Sequence, residues 1–163
     1  YIKSGTQLNP FNDGGAQEFG QRAGTENVAA IVGMAEALKK NCAEIAQNSA
    51  YLYELEQALI SKLRAANLDF IRNGAQDHIP GNISLSFRNS SGEMLLHRLD
   101  LKGICVSTGS ACDSKNTQIS HVLQAMNVPK DYAEGTIRIS LSKQNTLEEI
   151  NTIATALTNI LSS

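Results

Sequence analysis

Apolar residues recur at helical spacing through Val28, Ile31, Val32, Ala35, Leu38, Cys42 and Ile45, and again through Leu52, Leu55, Leu59 and Leu63. Steps of three and four residues place these side chains on one side of a helix. The pattern predicts one long helix or a helix pair over residues 28–65, with Asn48-Ser49 as the place for a kink and one apolar stripe facing a core. The pattern then changes. Leu68-Asp69-Phe70-Ile71 predicts a short strand, and a polar loop with Gly74, Pro80 and Gly81 follows. Ile83, Leu85 and Phe87 alternate with Ser84 and Ser86, the period of a half-buried strand. Ser90-Ser91-Gly92-Glu93 matches a capping box, with Ser90 as N-cap and Glu93 at N3, before a helix that turns Leu95, Leu96 and Leu99 inward. Ile104-Cys105-Val106 predicts a strand. Ile119, Val122, Leu123 and Met126 predict a short helix ending near Val128-Pro129. Ile137, Ile139 and Leu141 alternate with Arg138, Ser140 and Ser142 in a last strand. Thr146-Leu147-Glu148-Glu149 then opens a final helix carrying Ile150, Ile153, Leu157 and Ile160. This interleaving predicts an α/β or α+β sandwich, with helices packed on one face of a small mixed sheet.

Residues 1–27 fit neither period. They are rich in Gly, Asn and Gln, and they read as the middle of a domain rather than as a leader segment. Composition narrows the function classes. Of the 163 residues, 42% are hydrophobic and 18% charged, a globular balance rather than a disordered one. The formal net charge of -2 argues against a nucleic-acid partner. No apolar run reaches the roughly 18 residues that a membrane span needs. The three cysteines form no CxxC pair and lie far from the histidines in sequence, so no metal site is expected, and their sparse use suits a reducing, cytoplasmic compartment.

Three positions are candidates for chemistry. Cys112 ends the small-residue run Ser107-Thr108-Gly109-Ser110-Ala111-Cys112 between a predicted strand and a predicted helix. Such a loop leaves a thiol uncrowded, and a nearby helix start favours its thiolate. Cys42 lies on the helix stripe and Cys105 between two β-branched residues, so both are expected in a core. A phosphatase-type loop would need an arginine about six residues after the cysteine to clamp phosphate, and position 118 is Gln118. His78, His97 and His121 offer a protease base by residue type only. Arg138 points away from the apolar face of its strand, between Thr136 and Ser140. There it can grip a carboxylate with two parallel hydrogen bonds or remain a solvated surface arginine. Thr25 ends a glycine-rich segment where the long helix begins; it can cap that helix or contribute to an anion site at its start. No Walker-type or GxGxxG motif supports a nucleotide.

Gly14-Gly15-Ala16-Gln17-Glu18 followed by Arg22-Ala23-Gly24-Thr25-Glu26-Asn27 resembles the GGGQE…R-x-GTEN segment of cysteine desulfurases. The run ending at Cys112 resembles their SSGSAC loop. Ser120-His121-Val122-Leu123 resembles SHVL, Thr136-Ile137-Arg138-Ile139-Ser140-Leu141 the SIRFSLG strand, and Asn145-Thr146-Leu147-Glu148-Glu149-Ile150 the NTxEEI helix start. The five blocks occur in order from residue 14 to residue 150. This resemblance, to the NifS/IscS-like subgroup of the class V aminotransferases, implies the carboxy-terminal portion of a fold type I enzyme dependent on pyridoxal phosphate. Residues 1–27 would be the tail of its large cofactor domain and residues 28–163 its small domain.

The same resemblance implies roles. Cys112 would accept sulfur from L-cysteine as a persulfide, with release of L-alanine. Arg138 would bind the substrate carboxylate. Thr25 would reach the cofactor phosphate of the neighbouring subunit in a homodimer. A sulfur-acceptor or scaffold protein would take the sulfur onward, into iron–sulfur cluster assembly or another thiolated product. Several positions depart from the family pattern. Ala16 replaces a glycine, and Ser142-Lys143 stands where a glycine is typical. Asp113 follows Cys112, and its carboxylate disfavours a thiolate. No serine-histidine-lysine segment occurs, so the cofactor would not be bound covalently to this chain. Two other expectations are compatible with the same residues: a selenocysteine lyase of the same fold group, and a non-catalytic scaffold or sulfur-carrier module.

Overall fold

The alternation in Asn82–Phe87 forms strand β2, and that in Thr136–Ser140 forms strand β4. They pair antiparallel, with Ile83 opposite Ile139, Ser84 opposite Arg138, Leu85 opposite Ile137 and Ser86 opposite Thr136. Directly opposite residues share a face. The pairing therefore sorts the two strands into one apolar face and one face of hydroxyls and arginine. Strand β1 (Phe70–Arg72) pairs with β2 on one side, and strand β3 (Ser107–Thr108) pairs with β4 on the other. The order is β1-β2-β4-β3, and every pairing is antiparallel rather than mixed. This computed structural model describes residues 2–108 and 119–162.

The helices cover the apolar face. Their elements are α1 (Val28–Ala65), α2 (Gly92–Asp100), α3 (His121–Ala125), α4 (Lys130–Ala133) and α5 (Leu147–Leu161). Ile83, Leu85, Phe87, Ile137 and Ile139 pack in one cluster with Leu55, Leu59 and Leu63 of α1, Leu95 and Leu99 of α2, and Ile150, Leu157 and Ile160 of α5. Phe70 stacks on Phe87, its register partner, with ring centroids 5.8 Å apart. Removal of these side chains from water is the main term holding the sheet and helices together. The sandwich is therefore as expected, and α4 is an added turn that the periodicity did not predict.

Several details differ from the sequence pattern. α1 runs through Asn48-Ser49 as one helix, but only its later part is in the core. Leu55, Leu59, Ile60 and Leu63 are buried, whereas Val28, Ile31, Val32, Leu38 and Ile45 are exposed. The chain forms two compact units, Tyr1–Glu44 and Ile45–Ser163. The first contributes nothing to the buried cluster, so helical period alone overestimated the core. Ser91, not Ser90, caps α2 by accepting from the Met94 amide at 3.3 Å. The box at α5 is as expected: Thr146 and Glu149 each accept from the other's backbone amide. The Glu149 carboxyl is held below the usual carboxylate range, chiefly by the Thr146 amide and then by Asn145.

Two features fix the sheet in place. Gly135 approaches β2 so closely that a Cβ there would collide with the Phe87 carbonyl oxygen, and Phe87 N donates to the Gly135 carbonyl at 3.1 Å. The second is a buried carboxylate. Glu56 on α1 is 1% exposed and accepts from Arg72 Nε and Nη2 at 3.2 and 3.1 Å. His78 Nε2 lies 3.0 Å from both Glu56 oxygens, and its Nδ1 lies 2.9 Å from the Gln76 carbonyl. Both ring nitrogens thus face acceptors, which only the doubly protonated ring can satisfy. The hydrogen bond to Glu56 is the largest influence raising the His78 pKa above 6.5; burial opposes it.

Gly135→Ala is expected to cost about 1–3 kcal/mol through overpacking against rigid backbone, read from the denaturant midpoint. Because the folded His78 binds its proton more tightly than the unfolded chain, its stabilisation is complete below 6.5 and is lost as pH rises through the raised value. The stability gap between the parent and a His78→Gln variant should therefore be wider at pH 6 than at pH 9. A gap that is constant with pH would show that folding leaves the affinity of the His78 ring for its proton unchanged.

Candidate functional site

Arg138 lies in the middle of β4, flanked across the sheet by Ser84 on β2 and Ser107 on β3. Thr136 and Ser140 precede and follow it on the same face, since alternate residues share a face. Arg138 is exposed, and its guanidinium has no hydrogen bond or ion pair among the described residues. The other strand arginines behave differently. Arg72 is spent on Glu56, and Arg88, just beyond β2, pairs with Asp69 and Asp131. A planar cation on a rigid strand, ringed by hydroxyls and without a carboxylate partner, is suited to holding an anion from outside the fold.

The floor of this face is a directed hydrogen-bond chain. Asn73, only 7% exposed, places Nδ2 at 3.1 Å from Ser84 Oγ and 2.7 Å from Ser86 Oγ. Ser86 Oγ lies 2.6 Å from Thr136 Oγ1, which donates to the Ala133 carbonyl at 2.8 Å. Sequence reasoning singled out Arg138 but missed Asn73. The Asn73-Gly74 dipeptide reads as a turn, and only the folded sheet brings its amide under the serines.

The segment before α1 is self-bound. Gln17 Oε1 accepts from the Gly24 amide at 3.1 Å, and Arg22 Nη1 donates to the Gly24 carbonyl at 3.2 Å. Gly24 has φ of +98°, a conformation that favours glycine. Asn27, not Thr25, caps the helix: its Oδ1 accepts from the Ala30 amide at 3.0 Å. The Thr25 hydroxyl is exposed and unpartnered among the described residues. Gln17 and Arg22 thus shape the turn that presents Thr25.

Cys112 lies outside the described residues; the chain reaches it from Thr108, the last residue of β3. Cys42 and Cys105 are both exposed free thiols, a correction to the core placement expected from their apolar neighbours. Ile104 and Val106 are half-buried, and the strand begins only at Ser107, so Cys105 precedes the paired backbone. Among the described residues no group of three or more His, Cys, Asp or Glu could hold a metal ion, and no helix is long and apolar enough to cross a membrane.

Residues 6–153 match the family model described as aminotransferase class-V. The chain belongs to the aminotransferase class-V family. It is 41% identical over 162 residues to the cysteine desulfurase IscS of Dictyoglomus turgidum (strain DSM 6724 / Z-1310), covering 99% of this chain and 41% of that protein. It is 37% identical over 161 residues to the cysteine desulfurase IscS of Methanosarcina thermophila, covering 99% and 40%. Among solved structures, a NifS-like protein superposes with a TM-score of 0.81 at 36% identity, covering 99% of this chain and 41% of that one. A NifS-like protein from Rickettsia africae ESF-5 gives 0.78 at 33% identity, covering 97% and 41%. This class-V chain spans about two fifths of the length of the curated relatives it matches.

Alkylation of the native protein, read peptide by peptide, is expected to label Cys105 at a rate near that of the unfolded chain. Protection of Cys105 until denaturation would contradict the exposed position just before β3.

Proposed function

We propose that this chain is part of a cysteine desulfurase dependent on pyridoxal phosphate, and that β4 provides its substrate-carboxylate site. The observation that carries this is the exposed Arg138 guanidinium, without an ion pair among the described residues, on the strand hydrogen-bonded to β3, with Cys112 following β3 in the chain. Arg138 holds the carboxylate of L-cysteine by two parallel charge-assisted hydrogen bonds and fixes which way the substrate sulfur points. The Cys112 thiolate attacks that sulfur. Its S–S bond forms as the substrate C–S bond breaks, and the β-carbon takes up a proton to leave L-alanine. One sulfur atom is transferred in net terms, and the persulfide then passes to an acceptor protein. Asp113 beside Cys112 works against the thiolate and slows the attack.

The cofactor supplies an electron sink for bond cleavage at the substrate. Among the described residues, the exposed Thr25 hydroxyl, without a partner there, suits a phosphate contact, offered to the neighbouring subunit of a homodimer. The lysine that carries the cofactor belongs to a large domain, of which residues 1–27 form the tail and against which the small domain, residues 28–163, works. Exposed Val28, Ile31, Val32 and Leu38 on α1 are consistent with a face covered by that domain. Free Cys42 and Cys105 suit the reducing cytoplasm.

In the intact protein, Cys112→Ser should abolish sulfide release and persulfide formation while leaving L-cysteine binding unchanged. Arg138→Ala should raise KM for L-cysteine by roughly 10- to 100-fold, the value of hydrogen bonds to a charged group. Full activity of Cys112→Ser would end the desulfurase assignment to this cysteine.

A further inference from the structure

The protons beneath Arg138 can be assigned one by one. Thr136 has a single hydroxyl proton, and it goes to the Ala133 carbonyl, which can only accept. In the 2.6 Å contact between Thr136 Oγ1 and Ser86 Oγ, the proton therefore belongs to Ser86. Ser86 has then used its own proton, so it must accept from Asn73. This orients the Asn73 amide with its NH2 toward the serines, 2.7 Å from Ser86 Oγ and 3.1 Å from Ser84 Oγ. Ser84 accepts as well, and its own O–H is left without a protein acceptor among the described residues. The Asn73 Oδ1, buried and without a partner, is the cost of this orientation.

Ser84 is half-buried and directly opposite Arg138, which is exposed. Cross-strand partners have Cβ atoms about 4.5–5.5 Å apart. Ser84 and Arg138 therefore rise from adjoining points of one face, where a single carboxylate meets both when the guanidinium lies back over the sheet. We propose that Ser84, with its Oγ pinned by Asn73, is a second donor to the carboxylate that Arg138 binds, so that the anion is held by a cation and an oriented hydroxyl. The proposal rests on the assignment of Arg138 to the substrate carboxylate. Its specific content is directional. Asn73 donates to Ser84, so the Ser84 proton finds no acceptor among the described residues, and a ligand with an acceptor oxygen is the complement of that arrangement. Asn73 is a positioning residue, acting through Ser84.

The test uses the intact protein and L-alanine, a carboxylate ligand of the right class that undergoes no turnover. Binding is followed by the NMR shift of the Arg138 Nε–H group. L-alanine should move that signal in the parent protein. Ser84→Ala should weaken binding roughly 10-fold with an unchanged thermal midpoint, and Ser84→Thr, which restores the hydroxyl, should recover most of it. Equal affinity in Ser84→Ala and the parent overturns the role of Ser84 while leaving Arg138 in place. An Arg138 signal unmoved by L-alanine overturns the Arg138 assignment and this proposal together. If Ser84→Ala proves unstable, Ser84→Cys, of similar size and a weaker donor, should show an intermediate affinity; affinity equal to the parent's would again remove Ser84.

Discussion

The register between β2 and β4 is the constraint on which the rest depends. With Ile83 opposite Ile139 and Leu85 opposite Ile137, the apolar side chains meet the helices, while Ser84, Ser86, Thr136 and Arg138 share the other face. A slip of one residue would turn over the side chains of the strand that slipped. If β4 slipped, the core would receive Arg138 and Thr136, and the candidate site would receive Ile137 and Ile139. Stability and chemistry are thus enforced by the same pairing. The close approach at Gly135 helps lock it, because its backbone must sit against the Phe87 carbonyl where no Cβ fits.

Polar groups in the fold fall into two kinds. Glu56 is buried with Arg72 and His78 and is satisfied on all sides, which ties α1 to β1 and to the loop that follows. Breaking such a buried pair is costly because the remaining partner stays desolvated. The groups around Arg138 are different. Among the described residues the guanidinium has no ion pair, and the hydroxyl chain beneath it is directed, with one acceptor left unmatched in Asn73. A fold that saturates a buried carboxylate and, among the described residues, leaves an exposed guanidinium open distinguishes stabilising polar contacts from recognising ones.

Residues before the buried core have a separate character. The turn held by Gln17 and Arg22 and the early part of α1 contribute no side chain to the buried cluster, and the apolar stripe there is exposed. The same heptad-like spacing that buries Leu55, Leu59 and Leu63 leaves Val28, Ile31 and Leu38 in water. Periodicity shows that a helix has one apolar side, and only the presence of other elements shows whether that side is covered.

The sequence by itself determined the elements and the sorting of their faces. Alternation and helical spacing are local consequences of backbone geometry, so α1, β2, β4, α5 and the Thr146-Glu149 box were legible, as was the outward direction of Arg138. The five ordered motif blocks pointed to the family that residues 6–153 match. Tertiary structure decided what depends on distant partners. It made the sheet antiparallel throughout, moved the caps to Ser91 and Asn27, and placed Cys42 and Cys105 in solvent. It also brought Asn73 beneath Ser84 and Ser86, where the direction of each hydrogen bond follows from a carbonyl far along the chain at Ala133. Burial and proton direction are properties of neighbours in space, and a linear pattern carries no information about which residues those neighbours will be.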